Sequence, residues 1–451
     1  MSVATISRSD LAQKARSAPT TRFALFGGIA AILGGIVLVI GLLSGHPERT
    51  WWAYITNFVF WAGMAQGMVV FAATQKLAKG HWSGVVIRFA EAGAAFTTVA
   101  VVLFIGLVIG RNYIFTWLHE LRPEIGGWLT TRWFFIRNGV ILAVMSWLSW
   151  RFVRHDTAPD VRELASGSGV DRKEDAPRIA RDAAILILAY AFGYTMLGYD
   201  LIMALSAKWV SNLFGAFYFM GSFLAALMML AILAIVLRRT MGLSDVYTSR
   251  QQHDLGKLCF GFTVFWAYLM WSQYLVIWYG NLPEETYFIF YRLSGVWRPV
   301  GILVFLLVFL IPFIGLLGEK PKKFPPTMVG FAIVGLAGIW LERYLEVVPS
   351  INHGGGPAIG MPSWESRSSL AGCSSFHGRG LRDAIRSSLR DSPLTRWSAS
   401  TTNAVARFNF IPIRSWNPGV RLARWPFTRN RRGYADPSFA SGYVCCSSSS
   451  V

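Results

Sequence analysis

Three charged residues stand together in an apolar stretch, WLERYLEVV at 340–348. Glu342 and Glu346 are four positions apart and share one face of a helix, with Arg343 between them. Ionisable groups at membrane depth are costly, which makes each of them a functional candidate. Two carboxylates beside an arginine form either a structural ion-pair network or a proton relay, since a carboxyl group in apolar surroundings can hold a proton near neutral pH. The sequence leaves both interpretations open.

Two further clusters lie near the ends of apolar stretches. Arg88 and Glu91 are three positions apart, so we expect them to pair, as a structural salt bridge or as part of a proton path. The motif HDLGK brings His253, Asp254 and Lys257 to the start of another stretch. His253 is a candidate for proton uptake because imidazole titrates near neutrality, although a single histidine at an interface often only caps a helix or snorkels.

Arg137 and Asp200 lie at similar predicted depth on apolar stretches that run in opposite directions. We therefore predict that they neutralise each other. Tyr190 and Tyr194 precede Asp200 on the same stretch and, being four positions apart, share a helix face.

The stretch WAYLMWSQYLVIWYGNLPEE, at 266–285, carries an amide where leucine would suffice. Gln273 offers two donors and an acceptor that hydrocarbon cannot satisfy, so it must face another helix, water or a bound head group. We favour contact with another helix. Glu284 and Glu285 at the end of the stretch indicate a docking surface outside the membrane.

Apolar windows of about 20 residues must position these side chains. The 451 residues are 53% hydrophobic and 15% aromatic, with a mean hydropathy of +0.42, which excludes a water-soluble protein of this length. Each window is long enough to cross the hydrocarbon core as a helix. The sequence therefore predicts an all-α polytopic membrane protein with nine readable transmembrane helices, at about 23–44, 52–74, 84–109, 133–153, 183–203, 213–237, 256–279, 297–318 and 325–347.

The distribution of lysine and arginine in the loops predicts the orientation. The polar head, 1–22, and every second loop after it are basic, so we expect a cytoplasmic amino terminus and a first span that is retained. The segment PSINHGGGP after the ninth window is then external, and His353 within it is a candidate for proton release.

The composition changes abruptly after the membrane domain, 23–361. Residues 362–451 hold thirteen arginines, eighteen serines and no lysine. This tail is either a disordered arm for an acidic partner or nucleic acid, or an out-of-frame translation. We favour the shifted frame, which implies a tenth span beginning near Met361 and no nucleic-acid partner.

Several classes of site are missing from the sequence. No histidine lies in the middle of a span, and no phosphate-binding loop, dinucleotide fingerprint or nucleophile triad is present. The four cysteines have no metal-ligand spacing. These observations argue against a b-type cytochrome, an ATP-driven pump and a metal site in this chain.

Four segments taken together carry a family resemblance. They are WWAYITNFVFWAGMAQGMVVFAATQKLAKGHW (51–82), GYDLIMALSAKWVSNLFGAFYFMGSF (198–223), HDLGKLCFGFTVFWAYLMWSQYLVIWYGNLPEE (253–285) and ERYLEVVPS (342–350). In this order and spacing they resemble the ActF-type membrane subunit of alternative complex III, a bacterial quinol oxidoreductase. That subunit is related to the NrfD and polysulfide-reductase membrane anchors. One departure is DLIMALSAKW, where the family more often has a Ser-Leu-Asp-Pro-like turn, so the acid expected near Ser206 or Ala207 is absent.

The resemblance implies ten spans, arranged as two four-helix bundles plus flanking helices, in a bacterial cytoplasmic membrane. It implies that this chain binds no cofactor, with quinol as the one ligand to consider, while iron–sulfur clusters and hemes c belong to partner subunits. The implied partners are a second NrfD-like membrane subunit, an iron–sulfur subunit, multiheme and monoheme cytochromes c, and small membrane subunits.

The expected function is that of a non-catalytic or quinone-binding subunit that scaffolds the complex and conducts protons. The proton path would use His253, Asp254, Lys257, Arg88, Glu91, Arg137, Asp200, Glu342 and Glu346. If the subunit binds quinone itself, Gln273 and Tyr274 are the candidate head-group contacts. A secondary transporter or permease is the alternative from another class, although no internal repeat is visible.

Overall fold

The computed structural model describes residues 20–80, 82–118, 128–166, 174–206, 209–243, 247–352 and 356–357. All of them belong to a single compact unit, Met1–Gly360. The predictions for residues 1–19 of the polar head, for His353 and for the tail 362–451 fall outside the described residues.

Nine long helices make up most of the described chain. Apolar windows favour helices in a membrane because each helix satisfies its own backbone donors and acceptors. The helices are α1 (Thr20–Leu43), α2 (Pro47–Leu77), α3 (Gly84–Ile109), α4 (Thr131–Ser166), α5 (Ala176–Leu201), α6 (Phe214–Thr240), α7 (Ser249–Gly280), α8 (Gly295–Gly315) and α9 (Pro325–Ile351). Short helices at Arg111–Ile114, Pro283–Leu293 and Glu319–Lys323 lie between them.

The prediction of an all-α polytopic membrane protein is confirmed. Helices α2 to α9 are each long and apolar enough to cross a membrane, in agreement with eight of the nine predicted windows. The first window corresponds to α1, whose apolar segment Gly27–Leu43 is shorter. The windows underestimated several helices, most clearly α4, which continues to Ser166 past Pro159.

The eight spanning helices pack as two bundles of four. Helices α2 to α5 form the first bundle and α6 to α9 the second, while α1 packs against α2. The bundles meet where α2 contacts α6, and 89% of the apolar window of α2 is buried. Gly67 permits this close contact, because a Cβ there would lie only 3.0 Å from Cβ of Ala226.

Helix α8 contains a π-helical turn at Leu306–Leu310, separated from Pro312 by one residue. Proline has no N–H and its ring clashes with the carbonyl four residues earlier, so the helix widens there. The widened turn packs on Gly338 of α9, where a Cβ would lie 2.8 Å from the backbone nitrogen of Val308.

Candidate functional site

The charged residues of α9 lie inside the second bundle. Arg343 is fully buried, and Glu342 and Glu346 are almost so. Nη1 of Arg343 donates to Oε2 of Glu346 at 2.6 Å, and Nη2 donates to the backbone carbonyl of Tyr218 at 3.1 Å. Oε2 of Glu342 is 3.7 Å from Nη2. The predicted network of two carboxylates around one arginine is therefore present, with Glu346 as the close partner.

The backbone of α6 makes room for this guanidinium at Gly221. A Cβ on Gly221 would lie 2.5 Å from Nη2 of Arg343 and 3.7 Å from Oε2 of Glu342. The ring of Tyr218, one turn earlier, lies 4.7 Å from the guanidinium carbon. Helix α6 thus supplies a gap, an aromatic ring and a carbonyl acceptor for a cation carried by α9.

Helix α7 reaches the same cluster through Trp266. Its indole Nε1 donates to Oε1 of Glu342 at 2.8 Å, and the side chain is buried. The sequence had singled out Gln273, seven positions later, as the polar residue needing a partner. Gln273 is half-buried, and its Oε1 has no hydrogen-bond partner among the described residues. Tyr274 packs near Trp271, with ring centroids 5.7 Å apart.

Each glutamate keeps one oxygen without a donor. Oε2 of Glu342 and Oε1 of Glu346 are buried and have no hydrogen-bond partner among the residues that the structure describes. An unsatisfied buried acceptor is costly, and its cost is removed if the oxygen carries a proton or binds water. These two oxygens are therefore the acceptors in the cluster that a proton or a water molecule would satisfy.

Arg292 extends the cluster and was not predicted. It lies on the short helix Pro283–Leu293, between the predicted windows 256–279 and 297–318, so the sequence places it in a loop. Its guanidinium donates to the carbonyls of Leu345, Glu346 and Phe288, each at 2.9 Å, and to Oγ of Ser350 at 2.5 Å. Burial lowers the pKa of Arg292 from its ordinary value, and the nearby carboxylate of Glu346 opposes this shift.

A line of hydroxyl groups continues from Ser350. Its Oγ is 3.4 Å from Oγ of Ser206, which lies 3.0 Å from the hydroxyl of Tyr287. Ser206 occupies the region where the family resemblance would have placed an acid. The hydroxyls join Arg292 to the end of α5, where the 3₁₀ turn Met203–Leu205 leads out of the helix.

Three buried tyrosines connect the cluster to the first bundle. Tyr190 and Tyr194 share a face of α5, as predicted, with ring centroids 4.8 Å apart, and Tyr194 stacks on Tyr218 at 6.2 Å. The hydroxyl of Tyr190 donates to the carbonyl of Phe219. The hydroxyls of Tyr194 and Tyr218 donate to the carbonyls of Ala62 and Val59 on α2. Because each proton is held by a backbone acceptor, the tyrosines serve as ties between helices.

The first bundle contains a second charge cluster. Nη1 of Arg88 donates to Glu91 at 2.7 Å, which confirms the predicted pair. It also binds Asp156 at 2.8 Å, and Nη2 binds Asp160 at 2.5 Å. Lys76 reaches Asp156 at 2.7 Å. A cavity of about 200 Å³ adjoins Lys76 and Asp156. The two aspartates were missed because the predicted fourth span ended at residue 153.

The predicted pair of Arg137 and Asp200 is also confirmed. Nε and Nη2 of Arg137 each lie 2.8 Å from Oδ2 of Asp200. Asn138 and Trp128 donate to the same carboxylate at 2.9 Å and 3.1 Å. The arginine also lies over the Trp128 ring, 3.9 Å from its centroid. Asp200 is thus surrounded by donors, and both of its oxygens accept hydrogen bonds.

The remaining predicted group stands apart from these clusters. Asp254 and Lys257 pair with each other at 2.7 Å near the start of α7, and the side chain of Lys257 is 56% exposed. Within the described residues, no hydrogen bond or ion pair joins them or His253 to Arg88 or Glu91. Among the described residues, the predicted groups therefore form three buried charge clusters and one surface pair, and no hydrogen bond or ion pair joins one of them directly to the next.

Comparison with known proteins does not assign a family. No protein-family model matches the chain, and no curated protein matches it. The structure establishes an all-α, multi-pass membrane protein with an Arg343-centred carboxylate cluster inside its second bundle.

Proposed function

We propose that this chain is a membrane subunit of a quinol-oxidising respiratory complex, in which Glu342 exchanges protons inside the second bundle. The observation that carries the proton-transfer role is the arrangement of Glu342. One of its oxygens accepts from Trp266 at 2.8 Å, and the other is buried without a donor, 3.7 Å from Arg343.

The contrast with Glu346 supports this choice. Glu346 has the close contact with Arg343, at 2.6 Å, and forms the fixed ion pair. A buried ion pair resists protonation because neutralising one partner leaves the other charge uncompensated. Glu342 shares the same cation at a longer distance, so its neutral and ionised forms differ less in free energy. The pair therefore holds the geometry, and Glu342 is the group that gains and loses a proton.

The assignment to a respiratory complex rests on the resemblance of the four segments to the ActF-type subunit. It implies a bacterial cytoplasmic membrane, a cytoplasmic amino terminus, and electron carriers in partner subunits. The proton-transfer role rests on the side-chain geometry and is independent of that resemblance. The two parts are accordingly tested by different experiments.

Proton transfer is tested with Glu342→Gln in the intact complex, reconstituted in vesicles containing a pH-sensitive dye. We expect fewer protons translocated per quinol oxidised, because the amide cannot exchange a proton. Glu174→Gln, at an exposed position just before α5, is the matched control and should translocate as the unmodified complex does. Equal proton yields in all three proteins would show that Glu342 is structural.

Membership of the complex is tested by purifying the tagged chain from its native membrane. Heme c absorbance and an iron–sulfur signal at constant ratio to the tagged chain are the expected result. A chain that purifies without either cofactor and moves a solute across vesicles would be a transporter, and the respiratory assignment would be wrong.

A further inference from the structure

A groove on the outer surface of the first bundle lies between α3 and α4. Its volume is about 640 Å³. Val101, Val102 and Ala143 line its apolar end, and Arg151, Arg154 and His155 line its basic end. Ala143 and Arg154 are eleven residues apart on α4, which is about 16 Å along a helix axis. The groove therefore changes from apolar to cationic over roughly the length of a lipid acyl chain.

Hydrogen bonds across the middle of the groove fix the two helices. Nε1 of Trp150 donates to Oγ1 of Thr98 at 2.8 Å, and this hydroxyl lies 3.1 Å from Oγ of Ser146. Trp147 stands beside them and is 58% exposed. Tryptophan is common where hydrocarbon meets the head groups of a membrane. The groove is thus held open by side chains suited to that depth.

The basic end carries positive charge that the protein does not fully neutralise. Arg151 binds Asp182 at 2.6 Å, His155 contacts the same carboxylate, and Arg181 lies 3.5 Å from it. Asp182 is thus shared by three groups. The guanidinium of Arg154 is exposed and has no ion-pair or hydrogen-bond partner among the described residues. Asp182 is therefore the one carboxylate contacted by Arg151, His155 and Arg181, and Arg154 is left without an anionic partner among the described residues.

We propose that this groove binds one anionic phospholipid. Its phosphate lies at Arg154 and His155, and an acyl chain follows Trp147, Ala143 and Val102 towards the apolar end. A basic pocket between transmembrane helices is a known setting for anionic lipid head groups. An isoprenoid quinone would also fit the apolar part, but its uncharged head group would leave the guanidinium of Arg154 without an anionic partner. Charge complementarity therefore favours the phospholipid.

The test titrates the full-length, delipidated protein in detergent with phosphatidylglycerol or phosphatidylcholine and counts bound lipids by native mass spectrometry. We expect the first phosphatidylglycerol to bind more tightly than phosphatidylcholine. Arg154→Ala should lower the affinity for the first phosphatidylglycerol about fivefold, which is the effect of one cation near a lipid phosphate. Arg178→Ala is the control, because Arg178 is exposed at the start of α5, at the same end of the bundle.

A second pair of variants tests the apolar end. Ala143→Phe fills the groove and should also weaken the first phosphatidylglycerol, whereas Val144→Phe, at the adjacent exposed position outside the groove, should not. If Arg154→Ala and Arg178→Ala weaken phosphatidylglycerol binding equally, the lipid is attracted by the surface charge in general, and the proposal is overturned. Displacement of the lipid by a short-chain quinone whose affinity is unchanged in Arg154→Ala would identify a quinone groove instead.

Discussion

The substitution Gly221→Ala tests the central feature of the Arg343 cluster, the gap in α6 that admits the guanidinium. The added Cβ would lie 2.5 Å from Nη2 of Arg343, a distance that real Cβ atoms essentially never show, so the guanidinium or the helix must shift. The guanidinium is held on its other side by Glu346 at 2.6 Å. Overpacking of this kind costs about 1–3 kcal/mol. We expect Tm in detergent to fall by about 2–6 °C.

The matched control is Gly261→Ala on α7, where a Cβ meets nothing within 4 Å. Alanine is favoured over glycine in a helix by roughly 0.5–1 kcal/mol, so this control should be neutral or stabilising. Both proteins are scanned in the same detergent at the same heating rate. If Gly221→Ala melts at the same temperature as the control, then Arg343 does not lie against α6 and the cluster is wrongly placed.

Three other substitutions follow from two contacts and one backbone conformation, and all are measured by the same unfolding assay. Arg137→Met should lower the free energy of unfolding by about 3–5 kcal/mol, because it leaves the buried carboxylate of Asp200 without a cation. Adding Asp200→Asn should recover most of that stability. An unchanged melting temperature in the single variant would refute the pair. Trp266→Phe removes the 2.8 Å hydrogen bond to Glu342 and should lower the free energy of unfolding by about 1.5–3 kcal/mol. Trp278→Phe, at an exposed site of α7, should change it little. Equal effects of the two substitutions would count against the hydrogen bond. Asn281 ends α7 with a φ of 47°, a left-handed conformation that glycine adopts easily and alanine does not. Asn281→Ala should therefore destabilise the protein by about 1–2 kcal/mol, and Asn281→Gly should not. Equal melting temperatures of the two variants would exclude that conformation.

Contacts within one helix were predictable from spacing alone. Arg88 with Glu91 and Arg343 with Glu346 follow from three-residue separations, and the shared face of Glu342 and Glu346 follows from a four-residue separation. The pair of Arg137 with Asp200 needed one more assumption, that consecutive spans run in opposite directions and lie side by side. It was predictable because both residues lie within the windows and at comparable depth.

Contacts from outside the windows were not predictable in the same way. Asp156 lies on α4 beyond the window that ended at residue 153, so the hydropathy signal had stopped before the helix did. Arg292 lies on a short helix with no hydropathy signal of its own, and its partners are mainly backbone carbonyls of α9. A carbonyl acceptor leaves no trace in the sequence, because every residue carries one.

The difference between Gln273 and Trp266 shows a further limit of reading polarity from the sequence. Gln273 was the natural choice because an amide has several groups that hydrocarbon cannot satisfy. Trp266 was not singled out from the sequence, yet it is buried and provides the donor for Glu342. An indole has one N–H on a large apolar ring, so it can deliver a single hydrogen bond deep in a bundle while the rest of its surface packs. The residue that holds a buried carboxylate therefore need not look polar, and only the direction of its side chain distinguishes it from its neighbours.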